Sequence, residues 1–189
     1  MTTQTMSLAA AAWPAEGRQA WLRNVVLVLA GSALLAVSAR IQVPMWPVPV
    51  SLQTFAVLVI GMSYGGRLAA ATLAAYLAQG AIGLPVFTAP LGGPTTGYLF
   101  GFLIAATVIG FLADRGWDRN VVTAGAALLI GNALIYLPGL AWLHAVYVHD
   151  LQGTLLAGFY PFLVGDALKL ALAAAALPFA WKLMGRRRA

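Results

Sequence analysis

The stretch Phe159-Tyr-Pro-Phe-Leu-Val-Gly-Asp-Ala-Leu-Lys-Leu-Ala-Leu-Ala-Ala-Ala-Ala-Leu-Pro-Phe-Ala-Trp-Lys-Leu183 decides the fold class. At about 1.5 Å per residue it is long enough to cross a hydrocarbon layer of ~30 Å. Inside it, Asp166 and Lys169 lie three apart, on one helix face and about one turn from each other. Ionisable groups at membrane depth are costly unless they pair or line a polar cavity. Two readings follow: a functional site, or an internal ion pair that only fixes helix packing.

The rest of the chain agrees with a membrane setting. Of 189 residues, 61% are hydrophobic and 8% charged, and the mean hydropathy is +0.86. Soluble domains carry roughly 25% charged residues, so this chain cannot cover itself with a water-compatible surface. It reads as an all-α, polytopic membrane protein. The length suits one bundle of about six spans and leaves no room for a large soluble domain. The absence of cysteine excludes disulfides and thiolate metal sites. His144 and His149 stand near a loop and read as interfacial rather than as metal ligands.

Six spans are expected: Leu22 to Ala39, Leu52 to Met62, Arg67 to Leu84, Gly97 to Ala113, Val121 to Leu143 and Phe159 to Leu183. The second is too short for a perpendicular crossing; either it borrows length from the preceding loop or it is a re-entrant element. Residues 1–20 lack a basic segment ahead of an apolar core and read as a cytoplasmic tail, not a cleaved signal. Residues 22–184 form the bundle, and residues 185–189 a basic cytoplasmic tail. With both termini inside, the cytoplasmic side holds Arg18, Arg23, Arg67, Arg115, Arg119, Lys182, Arg186, Arg187 and Arg188, nine of the 11 basic residues. That asymmetry fits the positive-inside rule. The net charge of +6 therefore points to lipid headgroups and not to nucleic acid.

Arg40 is the one basic residue expected outside. It is either an interfacial anchor or a clamp for a carboxylate, which the planar guanidinium fork suits. After it, Pro44, Pro47 and Pro49 alternate with Val43, Met45, Trp46, Val48 and Val50. Prolines at this density prevent a helix and favour a stiff, extended course, either as the wall of a ligand pocket or as a plain connector. The connection from Pro85 to Tyr98 is uncharged and rich in Gly and Pro, and reads as an apolar lid. In the first span, Ser32, Ala33 and Ala36 offer a small-residue surface for close approach of another helix. There is no G-x-x-x-x-G-K-[ST] phosphate loop, catalytic triad or His-Glu-x-x-His pair, so an enzyme is not expected.

Three blocks of the sequence together resemble the BioY family of bacterial biotin transporters. They are Val43 to Ala56 (VPMWPVPVSLQTFA), Gly80 to Phe87 with Gly93 to Phe102 (GAIGLPVF, GPTTGYLFGF), and Pro161 to Lys169 (PFLVGDALK). The resemblance implies the substrate-binding S component of an energy-coupling-factor (ECF) transporter, in the bacterial cytoplasmic membrane. It implies biotin as ligand with no cofactor, and partnership with a transmembrane coupling protein and ABC ATPase subunits. Work without that module, as a homo-oligomer, stays open. Asp166 is then expected to accept from the ureido N–H groups of biotin and Lys169 to donate to its carbonyl, while Arg40 meets the carboxylate. The reverse assignment, with Lys169 on the carboxylate, is equally compatible with the chemistry. Tyr98, Gln79, Gln53 and Thr54 are further polar candidates, and Trp46, Val48 and Phe87 belong to the apolar wall. Two other functions compete: a proton-coupled carrier using the Asp166–Lys169 pair, and a membrane scaffold in which that pair is structural.

Overall fold

A computed structural model describes residues 6–186. A short helix α1 (Leu8–Ala12), begun by the Ser7 hydroxyl accepting from the Ala10 N–H, precedes α2 (Gly17–Arg40). A two-stranded antiparallel hairpin follows, β1 (Gln42–Val43) and β2 (Val50–Ser51), with Gln42 opposite Ser51 and Val43 opposite Val50. Then come α3 (Gln53–Tyr64), α4 (Gly66–Ala81), α5 (Thr96–Ala113) and α6 (Val121–Leu143). A π turn (His144–Val148), α7 (Leu151–Gly158) and a 3-10 turn (Tyr160–Phe162) lead into α8 (Leu163–Arg186).

Four helical stretches are long and apolar enough to cross a membrane: Gly17–Arg40, Thr96–Ala113, Val121–Val148 and Leu151–Met184. The chain is thus a multi-pass, mostly helical membrane protein. Helix α3 has 12 residues and α4 has 16, or about 18 Å and 24 Å of rise, and both fall short of a full crossing. The hairpin ahead of α3 makes up length, with Val48 at its far side 4% exposed.

Helix α5 is the centre of the bundle and packs against α6, α3 and α4. Its small residues allow this. A Cβ on Gly101 would stand 2.6 Å from the Ile135 carbonyl oxygen of α6, and one on Gly110 would stand 2.7 Å from Gly66 Cα of α4. Only glycine lets those backbones approach so closely.

Several expected boundaries are corrected. The first span starts at Gly17, not Leu22, and a short helix, Leu8–Ala12, precedes it. Residues 1–5 and 187–189 lie outside the described residues, so the basic tail is described only as far as Arg186, where α8 ends. The third span stops at Ala81, not Leu84, because Gly83 takes a positive φ of 91° and Pro85 follows. The last span is not one helix from Phe159. It breaks at Phe159, whose φ of -129° and ψ of -62° leave helical space, and restarts after Pro161. The proline stretch folds back on itself as a hairpin instead of running out straight, because Gln42 and Val43 find partners in Ser51 and Val50.

The alternating helices put two unlike sets of connections at opposite ends. One end carries the hairpin, the 82–95 loop and the 144–162 segment. The other carries the starts of α2 and α4, the α5–α6 turn and the end of α8, with Arg18, Arg23, Arg67, Arg115, Arg119 and Lys182. At this basic end, Asp114 Oδ2 accepts from the Gly66 N–H at 3.0 Å and so caps α4. Asp118, 1% exposed, accepts from the Trp181 indole N–H, while the Arg119 guanidinium sits 4.6 Å above the Trp181 ring. Burial raises the Asp118 pKa above the ordinary carboxylate value, and the Trp181 hydrogen bond only partly opposes it.

Candidate functional site

Asp166 lies in the first turn of α8, where the helix dipole favours a negative charge. It is 3% exposed. Lys169 Nζ reaches three acceptors: Asp166 Oδ1 at 3.1 Å, Thr54 Oγ1 at 2.9 Å and the Ser51 carbonyl at 2.8 Å. An ammonium has three donors, and all are matched. On the other side, the Tyr136 hydroxyl donates to Asp166 Oδ2 at 2.6 Å, and Thr54 Oγ1 stands 3.4 Å from Oδ1. The buried pair is therefore tied to the hairpin, α3 and α6. Such pairing offsets the desolvation that would otherwise neutralise or expel both charges.

Next to this network lies a small, partly open pocket of about 40 Å³. Its wall takes Val48 and Pro49 from the hairpin, Gln53 and Thr54 from α3, Thr95, Tyr98, Leu99 and Phe102 around the start of α5, Ile135 and Tyr136 from α6, and Phe162. The Tyr98 and Phe162 rings stack with centroids 6.5 Å apart, and Tyr136 meets Tyr98 edge-on at 6.3 Å. The Tyr98 hydroxyl donates to the Gly158 carbonyl at 2.8 Å. Thr95 Oγ1 is buried with no hydrogen-bond partner among the described residues. Gln53 Nε2 donates to the Tyr76 hydroxyl at 2.6 Å, which donates in turn to the Val86 carbonyl at 2.9 Å. The arrangement is an aromatic slot with hydrogen-bonding groups on its rim and a buried ion pair behind one wall. It suits a flat, mostly apolar ligand with a few polar atoms.

The structure thus brings Asp166, Lys169 and Thr54 into one network, and sets Gln53, Val48 and Tyr98 around the adjoining cavity. Other candidates stand apart. Gln79 accepts from the Ser32 hydroxyl at 2.6 Å between α2 and α4. Phe87 packs edge-on to Tyr76 at 5.1 Å, one layer behind the slot. Trp46 is 84% exposed at the hairpin tip, because the fold-back turns it away from the wall. Arg40 is exposed and donates to the Pro85 carbonyl. Of the small-residue surface on α2, Ser32 faces inward at 1% exposure, Ala36 packs on the core and Ala33 is exposed.

Three residues of the site escaped the sequence reading. Tyr136 holds the second carboxylate oxygen, and its signal was a phenol in the middle of the apolar run Leu134 to Pro138. Ser51 contributes through its backbone carbonyl, which no side-chain pattern reveals. Thr95 looked like one more residue of a Gly-Pro loop.

Comparison with known proteins agrees with this architecture. A profile of the BioY family matches residues 3–186. The biotin transporter BioY of Thermotoga maritima is 39% identical over 156 residues, covering 78% of this chain and 90% of that protein. BioY2 of Lactococcus lactis subsp. cremoris, a biotin transporter, is 32% identical over 80% of this chain and 86% of its own. The crystal structure of a biotin S component from an ECF-type ABC transporter superposes with a TM-score of 0.74, at 23% identity, over 89% of this chain and 95% of that one. A match that runs nearly end to end, carried on the same fold, means that the chain belongs to the BioY family.

Proposed function

We propose that this protein binds biotin and serves its uptake as the S component of an ECF-type transporter. The observation that carries the reading is the buried Lys169–Asp166–Tyr136–Thr54 network set directly behind an aromatic slot. Biotin has a ureido group rich in hydrogen-bonding atoms, an apolar fused ring and a carboxylate tail. Thr54 and Tyr136 belong both to the network and to the wall of the slot, so they bring the influence of the ion pair to the ligand surface. Asp166 accepts from the ureido N–H groups and Lys169 donates to the carbonyl, each by exchanging one of its present partners. Arg40, at the hairpin end, takes the carboxylate.

The cavity of about 40 Å³ is far below the ~300–1,000 Å³ usual for small-molecule sites. Entry of biotin therefore requires the hairpin and the 82–95 loop to move outward. The chain crosses the bacterial cytoplasmic membrane six times, with α3 and α4 as short crossings and both termini inside, as the clustering of Arg and Lys at one end supports. ATP hydrolysis belongs to separate ATPase subunits reached through a coupling protein, for which the exposed Ala33 side of α2 is the docking face.

The test is the thermal midpoint of the detergent-solubilised protein with and without biotin, with riboflavin and thiamine as controls. A ligand that binds only the folded state raises the midpoint with its concentration. A rise with biotin alone is expected. A flat response to saturating biotin, together with simple unfolding of Lys169→Met, would instead assign the ion pair a structural role in a scaffold. That reading draws on the same fact that all three Lys169 donors are matched within the chain.

A further inference from the structure

At the basic end, two hollows lie side by side between α1, α2 and α4. The first, of about 430 Å³, is polar and is lined by Ser7, Arg23, Asn24, Tyr64, Arg67 and Asp114, among others. The second, of about 380 Å³, is an apolar groove between α2 and α4, walled by Trp21, Val25, Val28, Leu29, Leu68 and Ala71. Asn24, Arg67 and Leu68 line both. A polar chamber at the end of the bundle thus adjoins an apolar trough along its membrane-facing side, with Arg67 at their shared wall.

The charges around the chamber are unequal. Among the described residues, Arg23 and Arg67 line the chamber with one carboxylate, Asp114, whose Oδ2 already receives the Gly66 N–H and which is engaged further. Arg67 is exposed and has no hydrogen-bond or ion-pair partner among the described residues. Arg23 donates through Nη1 to the Trp13 carbonyl at 3.0 Å, and through Nε and Nη2 to Asn24 Oδ1 at 3.2 and 3.0 Å. Of its five N–H groups, two remain to be matched. Trp21, 64% exposed at the groove, is the kind of side chain that sits at headgroup depth.

We propose that this composite hollow is a binding site for one anionic glycerophospholipid. The phosphodiester enters the chamber between Arg67 and Arg23, and an acyl chain lies in the groove between α2 and α4. The guanidiniums supply the charge-assisted donors that a phosphate oxygen favours. The groove wall offers apolar contact at membrane depth, where no water is available to fill it. A zwitterionic lipid fits the groove but lacks the net charge the chamber selects. The inference rests on the membrane setting alone and stands whether or not biotin is the ligand at the other end.

The experiment is a thermal-midpoint titration of the delipidated full chain with phosphatidylglycerol, phosphatidylcholine or glycerol phosphate, run on the wild type, Arg67→Gln and Arg115→Gln. Arg67 is exposed with no partner among the described residues and Arg115 is exposed, so both variants are expected to fold. At about 100 times Kd, phosphatidylglycerol raises the wild-type midpoint by roughly 5–10 °C. Arg67→Gln raises the half-maximal lipid concentration about tenfold or more, and Arg115→Gln leaves it unchanged. Equal shifts with phosphatidylcholine would remove the charge selection. An equal loss in Arg115→Gln would mean diffuse attraction to the basic end and no site. A full shift with glycerol phosphate would make the chamber a site for free phosphate esters and overturn the lipid assignment.

Discussion

The 82–95 loop at one end of the bundle and the basic end opposite it are closed by opposite chemistry. At the hairpin end, neutral side chains and one arginine donate to backbone carbonyls of a single loop. Tyr76 reaches Val86, Arg40 reaches Pro85, Trp142 reaches Gly93 at 3.0 Å and Tyr147 reaches Gly92 at 2.6 Å. At the basic end, carboxylates tie element to element, Asp114 on the start of α4 and Asp118 on α8. A neutral hydrogen bond is worth about 0.5–1.5 kcal/mol net and can be released to water. The buried Asp118 carboxylate cannot let go without facing its full desolvation, and the half-buried Asp114 carries a charge-assisted bond of about 1.5–3 kcal/mol. The 82–95 loop is thus held by several small, separable bonds, whereas the hairpin is pinned by the Lys169 bond to Ser51 and the basic end by few bonds that are hard to break. Motion belongs to the loop, and anchoring to the basic end.

Substitution at the ion pair gives the largest effect. Lys169→Met leaves Asp166 buried and unbalanced, so stability drops by about 3–5 kcal/mol; the thermal midpoint and biotin titration read both consequences. The double variant Asp166→Asn/Lys169→Met regains most of the stability but no biotin binding. Recovery of binding in the double variant would break the site assignment.

Next come the close helix contacts. Gly110→Ala pushes a methyl into Gly65 and Gly66 at the basic end, where the backbone within 3 Å cannot yield. A loss of about 1–3 kcal/mol is expected, read by denaturation, with biotin affinity unchanged. A change in affinity larger than the stability loss would show that the two ends are not independent.

Asp118 sharpens the comparison by pH. Its folded pKa is raised above the unfolded value, so the folded state holds the proton more tightly. Stability therefore falls as pH rises from the ordinary carboxylate value through the raised one, then levels off. Asp118→Asn keeps an acceptor for Trp181 and is expected to flatten that slope while raising stability at neutral pH. An unchanged slope would place the titration elsewhere.

The smallest effects belong to the loop bonds. Trp142→Phe and Tyr147→Phe each remove one hydrogen bond, at about 0.5–1.5 kcal/mol or less where water replaces it. Both should speed biotin dissociation in stopped-flow exchange more than they lower the thermal midpoint. Arg40→Ala should weaken biotin more than an analogue without the carboxylate; equal losses would make Arg40 only a bond to Pro85.

Much of this was legible in the sequence because membrane burial leaves a strong mark. Apolar runs located each long helix, and Asp166 with Lys169 stood out because charge is so rare at that depth. The breaks were harder to read. Pro44, Pro47 and Pro49 forbade a helix but did not say that Val43 would pair with Val50, a contact between residues apart in the chain. Trp46 and Phe87 were placed in the apolar wall from the resemblance and their apolar character, and the fold sets one at the hairpin tip and the other against Tyr76. Gln79 and Gln53 look alike as polar residues in apolar helices. Only the fold shows that one serves Ser32 and the other points toward the slot.

The Tyr76 phenol has one proton, and it links two parts of the site. It receives the Gln53 amide and passes its own hydrogen to Val86, so the two bonds polarise and strengthen each other. A guest that draws the Gln53 amide away weakens the hold on the loop around Val86, and lifting that loop leaves the amide freer to turn. By thermodynamic reciprocity these are one coupling free energy seen from two sides. Tyr76→Phe would uncouple them, leaving occupancy and loop mobility to vary separately.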